Sequence, residues 1–574
     1  MSSGGSPASR AVGRPAPWAP WVAGALIALA ASVVHWMLNP EPLLHGMSDE
    51  ALLVPLGLKT VGAASYANDT WLDLAGQVFS VPYSYLVGWV TQGADDPVGG
   101  LRLLALPFMA IFLGGVWLLA RRQSGSNTAA LAAVAVLVLP VLLTEVAIYD
   151  TLAPFVPQTH SRLEQLTLAP GAALPRDLVF ALFPLLWMAG WWAWAKGALH
   201  VGLVLACFGL LANLHPITAL HGAGLLLLCG LMEKRSAAGA QRFVVGVAAF
   251  LLGAAPFVLQ YLAYPVTPGE VPAELLAWRV DGIGGESWTR WAGRMEPFCW
   301  MGLAALLLLR TVDVERSLGE TRLLRGAVVA TLLAAFAPFV TNAVPLLQGF
   351  QPDRLGRFAA LLLVVLCSRL AWLAWRSGSR FSVGAATALF VLILLNPVLV
   401  RLAVGGPGTR GPVEELARRL ERTAGRGAGA VTRLPTGLIE RSTPGDPAVP
   451  RDPAASADFR AICAHARAET APDALFLVPP ESFGAFRVYA RRASSVTRKS
   501  GGFSLSFLGG HGNDWYAAYV LSLKAFAGGD EPSWRALAES TGAHYVVCDP
   551  VAEPPAAWPV VKSTATYELR RITR

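Results

Sequence analysis

Apolar runs alternate with short polar connectors from residue 20 to residue 402. Runs of near-membrane length lie at 20–38, 99–120, 128–148, 178–195, 198–214, 217–232, 242–263, 297–311, 326–343, 358–375 and 381–400. A bilayer needs roughly 20 apolar residues per helix, so this pattern predicts about eleven spans. The runs around 200–232 and at 297–311 are short for that thickness and are expected to be tilted, broken or partly inserted. The stretch 39–98 is interrupted by proline, glycine and acids. It reads as a long loop carrying amphipathic interfacial helices. Residues 1–19 read as a disordered tail. Run 20–38 starts like a signal peptide but continues to span length, so an uncleaved anchor is expected.

The pattern changes after residue 402. Residues 403–456 are rich in Gly, Pro and Arg and read as a linker with one helix, at 413–423. From 457 to 574 the periodicity is that of a soluble domain. Helices are expected at 459–470, 513–526 and 533–540. Strands are expected at 474–478, 486–489, 544–547, 560–562 and 567–571. Helices alternating with short strands predict a small α/β sandwich. The fold class is therefore mainly α: a polytopic transmembrane helix bundle with a C-terminal soluble α/β domain.

Composition agrees with lipid as the solvent. The chain of 574 residues is 54% hydrophobic and 15% charged, against about 25% charged in soluble domains. The net charge of +8 does not point to nucleic acid, because no basic patch interleaved with aromatics accompanies it. The basic residues instead mark one side of the membrane. Arg10, Arg14, Arg121, Arg122, Lys196, Lys234, Arg235, Arg316, Arg322, Arg325, Arg376 and Arg380 all fall on it under this span count. Short basic loops face the cytoplasm. The N-terminus is then inside, and an odd number of spans puts the C-terminal domain outside. The loops 39–98, 150–177, 264–296 and 344–357 share that outer face. Six cysteines without a Cys-x-x-Cys spacing give no zinc motif.

Candidate chemistry concentrates in the outer loops. Asp49 and Glu50 form an acidic pair just after the first run. Asp150, Glu164 and Asp177 lie in the second loop with Arg176. Asn213-Leu214-His215-Pro216 and His221 put polar groups inside an apolar hairpin, where they face a cavity or one another. Arg354 and Arg357 open the span at 358–375, three residues apart and on one helix face. Two guanidiniums there suit a lipid-linked phosphate; snorkelling to lipid headgroups is the alternative. No cofactor is expected. A divalent metal held by Asp49 and the two histidines stays open, although no ligand spacing supports it.

A first span followed by Ser48-Asp49-Glu50 at the head of a long outer loop resembles the GT-C superfamily of membrane glycosyltransferases. The resemblance implies a sugar moved from a polyprenyl-phosphate-linked donor to an acceptor outside a bacterial cytoplasmic membrane. It implies Asp49 as general base, with Glu50 or Asp150 assisting. Substrate contacts then fall to Arg354, Arg357, His215 and Arg176. A transporter or flippase, or a non-catalytic assembly protein, are the other classes the sequence admits. Separately, Phe459-Arg460-Ala461-Ile462-Cys463, Thr470-Ala471-Pro472-Asp473-Ala474-Leu475-Phe476-Leu477 and Phe486-Arg487-Val488-Tyr489-Ala490-Arg491-Arg492 look like the tail of an uncharacterised bacterial family of polytopic membrane proteins.

Overall fold

The computed structural model describes residues 50–73, 80–94, 97–146, 174–233, 236–263, 318–343, 354–377, 453–480, 485–497, 510–549 and 552–573, with scattered positions at 22–33, 383–384 and 500. Ten α-helices precede residue 450 among the described residues: α1 Glu50–Thr60, α2 Val81–Gln92, α3 Pro97–Ser124, α4 Asn127–Val146, α5 Pro175–Lys196, α6 Ala198–Ala212, α7 Pro216–Glu233, α8 Ala237–Leu262, α9 Leu318–Ala343 and α10 Leu355–Arg376.

Five described helices are long and apolar enough to cross a membrane: residues 103–124 of α3, and α5, α7, α8 and α10. Residues 127–137 of α4, and α6, are apolar but shorter. Among the described residues five helices are of crossing length, and the expected count of about eleven spans is not shown. Helix α6 stops at Ala212, because Pro216 cannot continue it. Helix α9 opens with Glu320, Arg322 and Arg325 and is apolar from residue 326 onward. The expected spans 297–311, nearly all of 381–400 and most of 20–38 fall outside the described residues, as does most of the linker 403–456. Lipid contact is legible on α8, of which only 11% of the apolar window is buried. Leu251, Leu252, Leu259 and Leu262 are exposed on it, an apolar face that suits hydrocarbon rather than water. Helix α6 lies against α8 at backbone distance: a Cβ on Gly209 would collide with the carbonyl of Phe250, and one on Gly253 with that of Ala206. Small residues at such crossings are how apolar helices associate in lipid.

Ion pairs define one end of the bundle. Glu233, closing α7, accepts from Arg322 and Arg325 of α9. Arg369 of α10 donates to Glu320 and to the carbonyl of Gln123 in α3. Arg121, Arg122 and Lys196 lie in the last turns of α3 and α5. We call this the basic end. The opposite end holds the start of α3 and of α5, the turn after α6, and helices α1 and α2. Leu52, Leu53, Leu56, Leu101, Phe108 and Leu174 share one core there, with Leu178 and Leu214 at its edge. Helix α1, expected to be amphipathic and interfacial, is instead buried at Leu52, Leu53, Val54, Leu56 and Leu58, because other parts of the chain cover it.

The C-terminal domain begins with α11 Pro453–Glu469. It continues through β1 Leu475–Leu477, α12 Phe486–Ala490, β2 Ala493–Ser494, α13 Gly510–Phe526 and α14 Glu531–Thr541, and ends with β3 Tyr545–Cys548, β4 Val560–Ser563 and β5 Glu568–Arg571. The sheet order is β2-β1-β3-β5-β4. Strand β1 runs parallel to β2 and β3, while β5 is antiparallel to β3 and β4. Alternation sorts the strand side chains: Phe476, Val547 and Leu569 pack with α11 and α12, and Leu477, Val546 and Cys548 pack with α14. The expected strand at 486–489 is the helix α12. A parallel β1–β2 step needs a crossover, and Phe486 and Ala490, spaced i and i+4, face the sheet.

Candidate functional site

Two groupings of polar side chains occupy the end of the bundle opposite the basic end. The first joins α5 and α10. Pro175 at the start of α5 fixes the backbone for a first helical turn. Asp177, in that turn, is 5% exposed. Arg357 reaches it from the first turn of α10, Nη1 to Oδ1 at 3.4 Å. Arg176 Nε lies 3.8 Å from the same oxygen. A cation at a helix start opposes the helix dipole, so Arg357 needs a carboxylate or another anion close by. Its guanidinium also lies 5.8 Å from the centre of the Phe180 ring. Phe180 and Phe183 both meet the ring of Phe358 edge-on, as does His221. Two arginines thus converge on one aspartate, and Arg357 does so over an aromatic ring.

Arg354, the residue ahead of α10, lies one turn before Arg357. His215 acts locally, because its Nδ1 accepts from the backbone N–H of Thr218 at 3.2 Å and so caps the start of α7. Asn213 is structural as well. Its Nδ2 donates to the carbonyl of Gly253 and its Oδ1 accepts from the N–H of Phe257, both at 2.9 Å. These are the two ends of one α8 ladder bond beside Pro256. Asp49 and Asp150 lie outside the described residues. Glu50 is the first residue of α1. Among the described residues, no three His, Cys, Asp or Glu side chains gather to hold a metal ion.

The second grouping was not legible in the sequence. Asp69, between α1 and α2, is wholly buried and meets Arg487 of α12, 418 positions away. Arg487 Nε donates to Oδ2 at 2.7 Å and Nη2 to Oδ1 at 3.3 Å. Nη2 also donates to the carbonyl of Ser494 at 2.8 Å. Around this pair, Tyr66 donates to the carbonyl of Arg487 and Asn68 to that of Asp473, both at 2.8 Å. Arg491 donates to the carbonyl of Ala94. Burial holds the Tyr66 phenol far above its ordinary value, so it stays a neutral donor. Val488 joins the core formed by α1 and α3, and Trp71 packs beside Trp515 and Tyr519 of α13. The C-terminal domain is therefore docked on the segment 50–94. A cavity of about 260 Å³ lies in the junction, with Ser65, Tyr66, Gln92 and Arg491 among its lining residues. Arg491 has left-handed backbone, φ 48°, a conformation uncommon for a non-glycine residue. Nothing local in the sequence links Asp69 to Arg487, because each reads alone as an ordinary surface charge.

The comparisons with known proteins fall on these two regions differently. A family model described as a domain of unknown function, DUF6798, matches residues 457–517, the part of the C-terminal domain that carries α11, β1, α12 and β2. All three segments that carry the C-terminal resemblance lie inside it. No curated protein matches the chain. The chain is similar over 93% of its length, and 70% of the other chain, to the Archaeoglobus fulgidus oligosaccharyltransferase in the apo form, at 14% identity and a TM-score of 0.41. The same oligosaccharyltransferase tethered to an acceptor peptide containing the NVT sequon matches at 13% identity and a TM-score of 0.38, over 92% of this chain and 69% of that one. Scores this low transfer neither fold detail nor activity.

Proposed function

We propose that the chain is a GT-C-like membrane glycosyltransferase. It moves a sugar from a polyprenyl-phosphate-linked donor to an acceptor at the end of the bundle where the C-terminal domain docks, outside the cytoplasm of a bacterial cell. The observation that carries this reading is the Arg176–Asp177–Arg357 cluster, set at the start of α5, where Leu174 and Leu178 pack in the same core as α1. The phosphate of a lipid-linked donor reaches a protein at the membrane surface, and guanidiniums on an aromatic floor match its charge and geometry. As the glycosyl bond breaks, negative charge grows on the leaving phosphate, and preorganised cations there lower the barrier. In this reading Arg357, Arg354 and Arg176 hold the phosphate, and Asp177 positions Arg357 and Arg176. Asp49 takes the acceptor proton, with Glu50 or Asp150 assisting. A hydroxyl is a weak nucleophile without such a base. His215 keeps its capping role and helps hold the turn beside the site.

The test is a transfer assay with polyprenyl-phosphate-linked hexoses on membranes carrying single variants. Asp49→Asn is expected to lower turnover about 10²–10⁴-fold with donor binding kept. Arg357→Ala is expected to weaken donor binding about tenfold or more, because a charge-assisted contact is lost. Full activity in both variants would remove the assignment.

A further inference from the structure

A second cavity lies at the basic end, away from the residues of the proposed site. It measures about 180 Å³ and is lined by the end of α3, the second half of α5 and the first turns of α9. Arg122 and Arg322 line it with Gln123, Trp187, Trp191 and Trp192. The charged groups in its wall are thus both cations. Trp187 is 1% exposed and Trp191 6%, and the indole N–H of each meets no acceptor among the described residues. A buried donor without an acceptor is costly, and both of these residues line the cavity that Arg122 and Arg322 line. The Arg322 guanidinium lies 4.4 Å from the Trp191 ring centre while its fork grips Glu233. It is thereby locked in place. Glu233 is shared with Arg325, so the local balance stays positive.

We infer that this cavity binds a phosphate group, and that its carrier is an anionic phospholipid. The group would accept hydrogen bonds from the Arg122 and Arg322 guanidiniums and from the two indoles. The surroundings point to a lipid. Trp192, exposed at the cavity wall, meets His200 at the start of α6, and Leu199 and Leu203 on α6 are exposed apolar side chains. A headgroup in the cavity would leave its acyl chains beside an apolar helix surface. Basic pockets between membrane helices are a recurrent way of holding anionic headgroups.

The experiment is a titration of the purified full-length chain in detergent, read by native mass spectrometry, with phosphatidylglycerol, phosphatidylcholine and inorganic phosphate as separate probes. Phosphatidylglycerol is expected to bind about tenfold tighter than phosphatidylcholine, the size of one charge-assisted contact. Arg122→Gln, at an exposed side chain, is expected to abolish that preference while Arg122→Lys keeps most of it. Trp191→Phe removes one N–H and keeps the ring, and should reduce the preference. If inorganic phosphate alone binds with the same sensitivity to these variants, the phosphate site stands and its carrier is free phosphate. Equal binding of the two lipids, or a preference untouched by both Arg122→Gln and Trp191→Phe, overturns the inference.

Discussion

Asp69 and Arg487 illustrate what a single pair of side chains settles. Both are buried, and a buried charge without its partner is strongly unfavourable. Removing either one is expected to cost about 3–5 kcal/mol. Asp69→Ala together with Arg487→Leu should cost less than the two single changes summed, because neither stranded charge remains. Thermal melts of the three variants in detergent check this, and strict additivity would show that the pair is not coupled. The cysteines make a second case at this scale. Cys463 packs on one face of the sheet and Cys548 on the other, and both are free thiols. Burial pushes the Cys548 thiol up to about 12 from an ordinary 9.0, and raises that of Cys463 well above the same value. A raised folded-state value means that the folded domain holds the thiol proton more tightly than the unfolded chain does. The stabilisation is then complete below about pH 9.0 and is lost as pH rises toward 12. Maleimide at pH 7.5 should therefore leave both cysteines unlabelled until denaturant is added. Rapid labelling of either in the folded protein would contradict their burial.

Helices and turns show which parts of the sequence could be read locally. The apolar runs at 178–195, 217–232, 242–263 and 358–375 are helices because an apolar solvent requires the backbone groups to bond within the segment. Five residues of the C-terminal domain were harder. Phe486-Arg487-Val488-Tyr489-Ala490 alternates apolar and polar positions, as a half-buried strand would. As helix α12 it sends Phe486 and Ala490 to the sheet and Val488 to the core formed by α1 and α3. A short segment that buries opposite faces against two partners cannot be told from a strand by its own pattern. The strand β2 was missed for the related reason that two residues carry no periodicity. Asn213 shows the reverse case, a polar residue whose presence in an apolar hairpin was noticeable but whose role was not. It completes the α8 ladder between Gly253 and Phe257. Asn213→Leu leaves that carbonyl and that N–H without Asn213 in an apolar bundle, at a cost of about 1–3 kcal/mol. Amide exchange at Phe257 should rise in the variant while exchange in α5 is unchanged. An unaltered Phe257 amide would mean that the ladder closes by itself.

At the scale of the whole molecule, the docked C-terminal domain bears on sidedness without any count of spans. The contacts from Tyr66, Asn68 and Asp69 to residues 473–494 require the segment 50–94 and the domain 453–573 to share one side of the membrane. The sequence placed both on one side by counting runs and weighing basic loops, a chain of inference that a single miscounted span reverses. A buried ion pair across 418 positions is not sensitive to that error, because two groups in hydrogen-bond contact cannot have a bilayer between them. The basic end holds Arg121, Arg122, Lys196, Arg322 and Arg325, and short basic segments stay in the cytoplasm. We therefore expect the domain to be outside. Cysteines introduced one at a time into a cysteine-free background report this directly. Ala67→Cys and Glu539→Cys sit at exposed positions on the segment and on the domain, and Ala238→Cys sits at the start of α8, beyond the Glu233 that marks the basic end. An impermeant maleimide added to intact cells should label the first two and spare the third, which should react only after the membrane is opened. Labelling of Ala238→Cys alone would keep the docking and reverse the orientation, taking the proposed acceptor site to the cytoplasmic face. Labelling that separates Ala67→Cys from Glu539→Cys would break the docking itself, and with it the reading of Asp69 and Arg487 as the pair that holds the two halves of the chain together.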